Sequence, residues 1–477
     1  MNYRMIRNIL GWLLIFECGF MILPAVTAVV YGESQLWHFL ATMLLCGGLG
    51  GLCVLKKPKS SVLYAREGFV IVALSWIVLS AFGALPFFLS GCIPNYVDAL
   101  FETVSGFTTT GASILTEVEA LPKCMLMWRS FTHWVGGMGV LVFIMAFVPL
   151  SGGQNMHIMK AESPGPSVSK LVPRVKTTAL ILYSIYLILT LTQFILLLCG
   201  HMSAFEALTT SFGTAGTGGF GVRGDSLAGY SPYIQWVVTV FMLLFSVNFS
   251  CYYLFLLGRI KDAFNAELRR FICIVGVVIL VITLNVRGAF DTLGEAIRHV
   301  SFTVASLIST TGFATVDFNL WPELSRSLLV LIMFVGACAG STGGGLKVSR
   351  LMILVRGAIN ELGNLIRPHR VKRITIDGRP VEPEIIRSTN VYMVWYLLLF
   401  TASVILLSLD GHDLITNFTA VTATINNIGP GLGLVGPTGN FAFFSIPSKL
   451  VLIFDMLVGR LELFPMLALV SPATWRK

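Results

Sequence analysis

Long apolar runs alternate with short polar ones along this chain, and the alternation repeats. Two apolar runs precede Lys56, about Ile9 to Val30 and Leu36 to Leu55, each close to the roughly 20 residues that a helix needs to cross a hydrocarbon core. After Lys56 the chain divides into four blocks of one plan. Each block opens on an apolar helix, predicted near Phe69–Leu89, Ala179–Cys199, Phe271–Val286 and Val391–Leu409. A weakly hydrophobic segment too short to cross comes next, then a turn rich in Gly, Thr or Asn. A second long apolar helix closes the block, near Trp128–Leu150, Ile234–Leu257, Ser327–Arg356 and Lys449–Leu467. Self-similarity on this scale predicts an internally repeated fold. The divisions are a two-helix extension at 1–60, blocks one and two at 61–165 and 166–262, block three with a cytoplasmic loop at 263–375, and block four at 376–477.

Composition fixes the solvent. With 477 residues, 55% hydrophobic and only 12% charged, and a mean hydropathy of +0.81, the chain is far too apolar for an ordinary soluble protein. It reads as an all-α polytopic membrane protein. Arg4 and Arg7 precede the first run, but no small-residue cleavage site follows it and a second span comes at once, so this run reads as a retained helix rather than a signal peptide. The net charge of +9 gathers in four polar segments, Lys56–Arg66, Lys160–Lys176, Arg259–Arg270 and Lys347–Arg387. Positive-inside bias explains this without any nucleic acid and places both termini in the cytoplasm. Nine scattered cysteines, with no CxxC pair, read as small buried hydrophobes. His133, His157, His201, His299, His369 and His412 show no ligand spacing, and no acid/base pair or metal constellation emerges, so no enzyme is expected.

The short middle segments carry the chemistry. They read "FETVSGFTTTGAS", "FEALTTSFGTAGTGGFG", "FTVASLISTTGFAT" and "FTAVTATINNIGPGLG". The leading Phe and the aligned Gly have the same spacing in blocks one and three (Phe101 to Gly111, Phe302 to Gly312), and block four (Phe418 to Gly429) differs by one residue. In block two, Gly219 aligns through its "GGF", while Gly216 would give a shorter spacing; both stay open. A cation leaving water needs oxygens to replace its hydration shell, and irregular backbone at membrane depth is tolerable only where it lines a cavity. A half-helix aiming its negative C-terminal end at that cavity favours a cation. The outer ends suit such half-helices: Ser203 with Glu206 and Thr292 with Glu295 fit capping boxes, and Asp98 lies near the start in block one. Small residues also serve tight helix packing in membranes, but four turns in register, each preceded by an aborted helix, favour an ion-selective path.

"TTTGAS", "GTGGFG", "STTGFAT", "INNIGPGLG", "GACAGSTGGGLKV" and "LVGRLELFP" together resemble the TrkH/TrkG branch of the TrkH/KtrB/HKT superfamily of potassium transporters, over nearly the whole chain. The two helices before Lys56 are more similar to the TrkH branch than to the KtrB branch. The resemblance implies two N-terminal transmembrane helices plus four membrane-pore-membrane repeats around a central pore. It also implies a homodimer in the bacterial inner membrane and a cytosolic TrkA-like nucleotide-binding subunit that regulates it, with potassium as the transported ion and no cofactor on this chain. Carried over, it makes Gly111, Gly218 and Gly219, Gly312 and Gly429 filter residues, with Thr109, Thr110, Thr310, Thr311, Asn427 and Ile428 beside them. A serine at the first of these glycines goes with sodium permeation in this superfamily, so Gly111 implies potassium preference.

Two features predict a gate. The third returning helix is interrupted at Gly336–Lys347, where Gly340, Ser341, Gly343, Gly344, Gly345 and Lys347 should unwind it; the family's intramembrane gating loop matches this position. Arg460 is charged within an apolar run, at a cost of roughly 2.5–3.5 kcal/mol if isolated at a helix centre, so it should face the pore or an acid such as Glu462 or Asp455. An arginine at a helix end, snorkelling to the interface, is the alternative. In Asn360–Arg387, "ITIDGRPV" predicts a short hairpin around Asp377-Gly378, expected to help dock the regulatory subunit. "GLGLVG", Gly431–Gly436, is a chance GxGxxG without a strand or crossover helix, and "GSTGGGLKVS" departs from a P-loop at Leu346. The competing function is an ion-coupled secondary transporter, moving potassium with a proton or sodium, or a small solute; it would pair inverted halves, whereas all four blocks start from one side.

Overall fold

The computed structural model describes residues 1–56, 64–139, 175–366 and 373–475. The chain opens with α1 (Tyr3–Phe20) and α2 (Ile22–Tyr31), one apolar run interrupted at Met21, and α3 (Leu36–Leu55) returns beside α1. Glycine permits this approach: a Cβ on Gly50 would meet Ile15 Cγ1 at 2.9 Å, and one on Gly11 would meet Cys53 Cβ at 2.7 Å. Without a hydrophobic force between helices in lipid, such close contact is what holds them together.

Block one supplies α4 (Ala65–Gly83), α5 (Leu85–Leu89), α6 (Tyr96–Phe107) and α7 (Lys123–Gly137). Block two supplies α8 (Val175–Cys199), α9 (Ala204–Ala215), α10 (Pro232–Phe245), α11 (Phe249–Leu256) and the single turn α12 (Ile260–Ala263). Block three has α13 (Ala266–Val286), α14 (Leu293–Ile308), α15 (Glu323–Val335) and α16 (Val348–Ile366). A two-stranded hairpin, β1 (Thr375–Ile376) and β2 (Arg379–Pro380), turns at Asp377-Gly378 with φ of 49° and 74°, as its sequence predicts. The chain closes with α17 (Pro383–Leu407), α18 (Leu414–Ile425), α19 (Ile446–Arg460), α20 (Phe464–Val470) and α21 (Pro472–Trp475).

Among the described residues, six helical runs are long and apolar enough to cross a membrane, or seven if the bent pair α10–α11 counts as one span. Their outward faces carry exposed apolar side chains, such as Leu44 on α3, Ile188 and Ile195 on α8, Leu284 on α13 and Leu398 on α17. Many of the polar groups are turned inward instead, including the threonines of α6, α9, α14 and α18. Apolar outside and polar inside suits a lipid solvent, and the chain is a multi-pass membrane protein.

Four short helices, α6, α9, α14 and α18, are buried for most of their length. At 12 residues three of them reach about 18 Å, too short to cross. Side-chain caps start each one: Asn95 to the Val97 amide at 2.8 Å, Ser203 to Glu206 at 3.3 Å, Thr292 to Glu295 at 3.1 Å and Asp413 to Thr416 at 3.0 Å. Ser203 and Thr292 are the caps expected. Asp98 lies in the first turn of α6 without capping it and instead meets Lys449 Nζ at 2.7 Å.

Three returning helices differ from expectation. The return of block two bends by 90° between α10 and α11. Ser246 Oγ folds back onto the Met242 carbonyl and Asn248 starts the new helix, so polar side chains satisfy the backbone that the break exposes. The return of block four stops at Arg460, where Glu462 and Leu463 take positive φ, before α20 begins. Arg460 therefore ends a helix rather than sitting at its centre. In block one, α7 ends at Gly137, and the remainder of Trp128–Leu150 from residue 140, most of Lys160–Lys176, His157 and His369 lie outside the described residues. The interruption at Gly336–Lys347 is present, between α15 and α16.

Candidate functional site

Each short helix ends in the same turn. The amides of Thr110, Gly218, Thr311 and Ile428 reach five residues back to the carbonyls of Ser105, Gly213, Ser306 and Ala423, at 2.8–2.9 Å. One residue earlier, Thr109, Thr217, Thr310 and Asn427 take φ of 54–59°, and one residue later Gly111, Gly219, Gly312 and Gly429 take φ of 74–100°. Gly219, not Gly216, is thus the block-two member of the set. Thr217 escaped the sequence reading although it precedes Gly219 by the same two residues as Thr109 precedes Gly111. The leading phenylalanines mark the register in blocks one and three only; counted from the turns, Thr209 and Thr419 stand where Phe101 and Phe302 do.

The four turns close a ring. A Cβ on Gly111 would strike the Gly218 carbonyl oxygen, one on Gly219 that of Thr311, one on Gly312 that of Ile428, and one on Gly429 would come within 2.8 Å of the Thr110 oxygen. Each glycine therefore faces the carbonyl that precedes the next glycine, in chain order, until the fourth returns to the first. Both the positive φ and the missing side chain are needed here. Hydrogen bonds tie neighbouring blocks in the same order. The Leu227 amide donates to the Ala314 carbonyl at 3.0 Å, Asn319 Oδ1 accepts from Gly433 N at 3.0 Å, and the Phe441 amide donates to the Ser113 carbonyl at 2.8 Å. Between blocks one and two, Glu119 accepts from the Gly224 amide at 2.6 Å, and that bond holds its carboxyl below the usual carboxylate range. A cavity of about 130 Å³ opens on the ring, lined by the four glycines with Arg129 and Arg223 among others.

Buried side chains lock the turns. Asn427 Nδ2 donates to Thr110 Oγ1 and to the Met456 carbonyl, both at 2.9 Å. His133 of α7 accepts from the Phe220 amide through Nε2 at 3.3 Å, so its Nδ1 carries the proton donated to the Gly106 carbonyl at 2.8 Å. Neither His133 nor the adjacent close-packed Gly136 and Gly137 carries a distinguishing pattern in the sequence.

Against the ring lies Gly336–Lys347, which no helix continues. Gly336, Gly340, Gly345 and Lys347 all take positive φ. The segment folds on itself through Ser341 Oγ to the Cys338 carbonyl and Lys347 Nζ to the Gly343 carbonyl. It fills the break between α10 and α11: Cys338 N donates to the Ser246 carbonyl, Thr342 Oγ1 to that of Phe245, and Phe249 N to that of Gly340. The Gly344 amide donates to Thr310 Oγ1 at 2.7 Å, touching the ring directly, and a Cβ on Gly343 would come within 2.8 Å of the Ser309 carbonyl. Glu267, in the first turn of α13, accepts from Ala339 N at 2.8 Å and Ser349 N at 3.1 Å. Arg460 joins the two parts, donating to Thr109 Oγ1 at 3.3 Å, to the Thr342 carbonyl at 2.8 Å and to the carbonyls of Gly136 and Gly137. Of the acids proposed for it, Glu462 pairs with Arg350, and Asp455 accepts from Ser403 at 2.8 Å.

The comparisons with known proteins agree with this architecture. Residues 36–477 match the family model for TrkH, described as a cation transport protein. The Trk system potassium uptake protein TrkH of Salmonella typhimurium is 36% identical over the full length of both chains. TrkG of Escherichia coli, also a Trk system potassium uptake protein, is 32% identical over 100% of this chain and 99% of its own. The crystal structure of the potassium transporter TrkH from Vibrio parahaemolyticus superposes with a TM-score of 0.89 at 33% identity, covering both chains completely. The chain belongs to the TrkH family of cation transport proteins.

Proposed function

We propose that this chain is the potassium-conducting membrane subunit of an uptake system and that the ring is its selectivity filter. The observation that carries the reading is the closure of four identical turns, each glycine against the next turn's carbonyl. Such a ring offers backbone oxygens in place of a hydration shell, and the C-terminal ends of α6, α9, α14 and α18 direct partial negative charge toward it. Each turn, with its short helix and the helices before and after, is one membrane-pore-membrane repeat. Four turns round one ring disfavour a coupled transporter of paired inverted halves.

Gly336–Lys347 and Arg460 form the gate. Together they place a folded segment, closed on itself by Lys347, and the Arg460 guanidinium against the ring. A cytosolic nucleotide-binding subunit of the TrkA kind acts on it from the side of the hairpin. That hairpin bears on the gate through α13, because Asp377 Oδ1 accepts from Ala266 N at 2.8 Å beside Glu267. The chain acts as a homodimer in the bacterial inner membrane with both termini cytoplasmic, and it binds no cofactor beyond the ion it carries. Ion flux into liposomes tests the assignment. Potassium and rubidium should enter while sodium and lithium are held back, and Gly111→Ser should admit sodium. Equal passage of all four ions through the parent chain would sink the filter reading.

A further inference from the structure

A buried ion pair braces the first two turns of the ring. Glu102 of α6 and Arg129 of α7 meet at 2.5 Å, their side chains 0% and 4% exposed. Glu102 also accepts from Ser113 Oγ at 3.0 Å and from the Ile114 amide at 3.0 Å, just beyond Gly111. Arg129 reaches the other way. Its guanidinium donates to the Gly221 carbonyl at 2.9 Å, just beyond Gly219, and lies 3.6 Å from the centroid of the Phe220 ring. One ion pair therefore grips the exits of two neighbouring turns.

The register of the four turns makes Thr210, Thr303 and Ala420 the counterparts of Glu102. Three equivalent positions dispense with the carboxylate, so the turn itself does not require it. Burying two charges is costly and is poor support for a role in stability alone. Arg129, moreover, lines the cavity that the four glycines open on, which puts a cation at the mouth of a cation path. Its charge is tolerable there because Glu102 compensates it.

We propose that the Glu102–Arg129 pair is a specificity-determining unit of the ion path. The pair fixes the spacing of the first two turns through Ile114 and Gly221, and Glu102 cancels the charge that Arg129 would otherwise present to an entering ion. Both act as positioning residues, and the proposal rests on the ring being the filter. Binding of radioactive rubidium to the detergent-purified full chain, displaced by potassium or by sodium, tests it without needing the gate to open. Arg129→Lys keeps the charge but loses the planar fork that serves Glu102 and Gly221 together; it should lower the potassium-over-sodium displacement ratio about tenfold while rubidium affinity stays near that of the parent. Glu102→Gln leaves Arg129 uncompensated and should weaken rubidium binding itself by about tenfold. The double variant Glu102→Gln/Arg129→Gln should restore rubidium affinity without restoring the ratio. Ser113→Ala, which removes one of the bonds to Glu102 and keeps its charge, should lower the ratio by a smaller factor with rubidium affinity near that of the parent, and it tests the spacing if Glu102→Gln does not fold. Gly111→Ser separates the two readings. An unchanged ratio in Gly111→Ser would remove the filter, and the pair's role with it. A ratio that falls in Gly111→Ser yet stays at the parent value in Arg129→Lys, Ser113→Ala and the double variant would overturn the pair's role and leave the filter standing.

Discussion

The ring and the segment packed against it are both rich in glycine and threonine, yet they are held by different means. Every turn of the ring is closed by its own helix, amide to carbonyl five residues back, and seated against the next turn. Backbone fixed in this way cannot shift at one turn without disturbing its neighbours. Gly336–Lys347 occurs once; backbone bonds tie it to the break between α10 and α11, and single side chains complete its hold: Glu267 at Ala339, Thr310 at Gly344, and Arg460 at Thr342. A restraint made by one rotatable side chain can be released while the fold persists. With the ring as filter and the segment as gate, as proposed, the difference would keep an ion path constant beside a part free to move, and substitutions on either side of it separate the two.

The largest effect belongs to the ring. Gly429→Ala puts a Cβ within 2.8 Å of the Thr110 carbonyl oxygen on backbone at φ +100°, which L side chains rarely adopt. Strain of about 1–3 kcal/mol at one residue, imposed on a closed ring, should abolish selective uptake, with initial potassium uptake falling about 100-fold or more. Uptake in potassium-starved cells, with membrane levels of the protein followed in parallel, is the measurement; near-normal uptake would mean that the ring is not the conducting element. Next comes Arg460→Ala, which removes one of the contacts between ring and segment. Hydrogen bonds from a charged donor are worth about 1.5–3 kcal/mol each, so resting flux through the chain alone in liposomes should rise more than tenfold with selectivity retained. Unchanged flux would show that Arg460 does not hold the closed state.

Much of this comparison was legible before the fold. The turns were, because a Gly-rich turn closes a short, weakly hydrophobic segment in each block, with the same spacing from Phe to Gly in blocks one and three, and so was the interruption at Gly336–Lys347, because its glycine density is incompatible with a continuous helix. Closure of the ring was not: no local pattern says that Gly429 meets Thr110. The broken return at Ser246–Asn248 was missed because its apolar run continues through the break, which is stabilised by a segment some ninety residues later in the chain. Arg460 is legible as a charge in an apolar run, but its carbonyl partners come from distant elements that no local pattern names, and Glu462 and Asp455 bond to Arg350 and Ser403. Glu102 and Glu267 carried no signal, since a lone acid in a short segment reads equally well as a surface charge, and Arg129, at the start of a predicted apolar helix, reads equally well as an anchor at the membrane interface.

A smaller effect sharpens the contrast on the side of the segment. Glu267→Gln keeps one acceptor oxygen but loses the charge that strengthens its bonds to Ala339 N and Ser349 N. Resting flux should rise about threefold, less than in Arg460→Ala, while the potassium-over-sodium ratio stays unchanged. A change of ratio without a change of resting flux would place Glu267 with the ring and break the comparison.

The smallest effect tests whether a short helix depends on its cap as the backbone-held side of the comparison requires. Asp413 caps α18, and the hydrogen bonds from the Thr416 hydroxyl and amide hold its carboxyl below the usual range. Because its pKa is lower in the folded chain than in the unfolded one, its contribution is present above the ordinary carboxylate value and is lost as pH falls through the depressed one. Asp413→Ala should therefore cost about 1 kcal/mol near neutral pH, with Asp413→Asn nearly neutral because Asn caps equally well. Melting of the purified chain in detergent across pH provides the reading. The deficit of Asp413→Ala should be full near neutrality and shrink toward the parent below about pH 4, as the carboxylate of the parent is protonated. A deficit that stays the same at every pH would mean that α18 is anchored only by the packing of its buried threonines and by the turn at Asn427, with the cap contributing nothing.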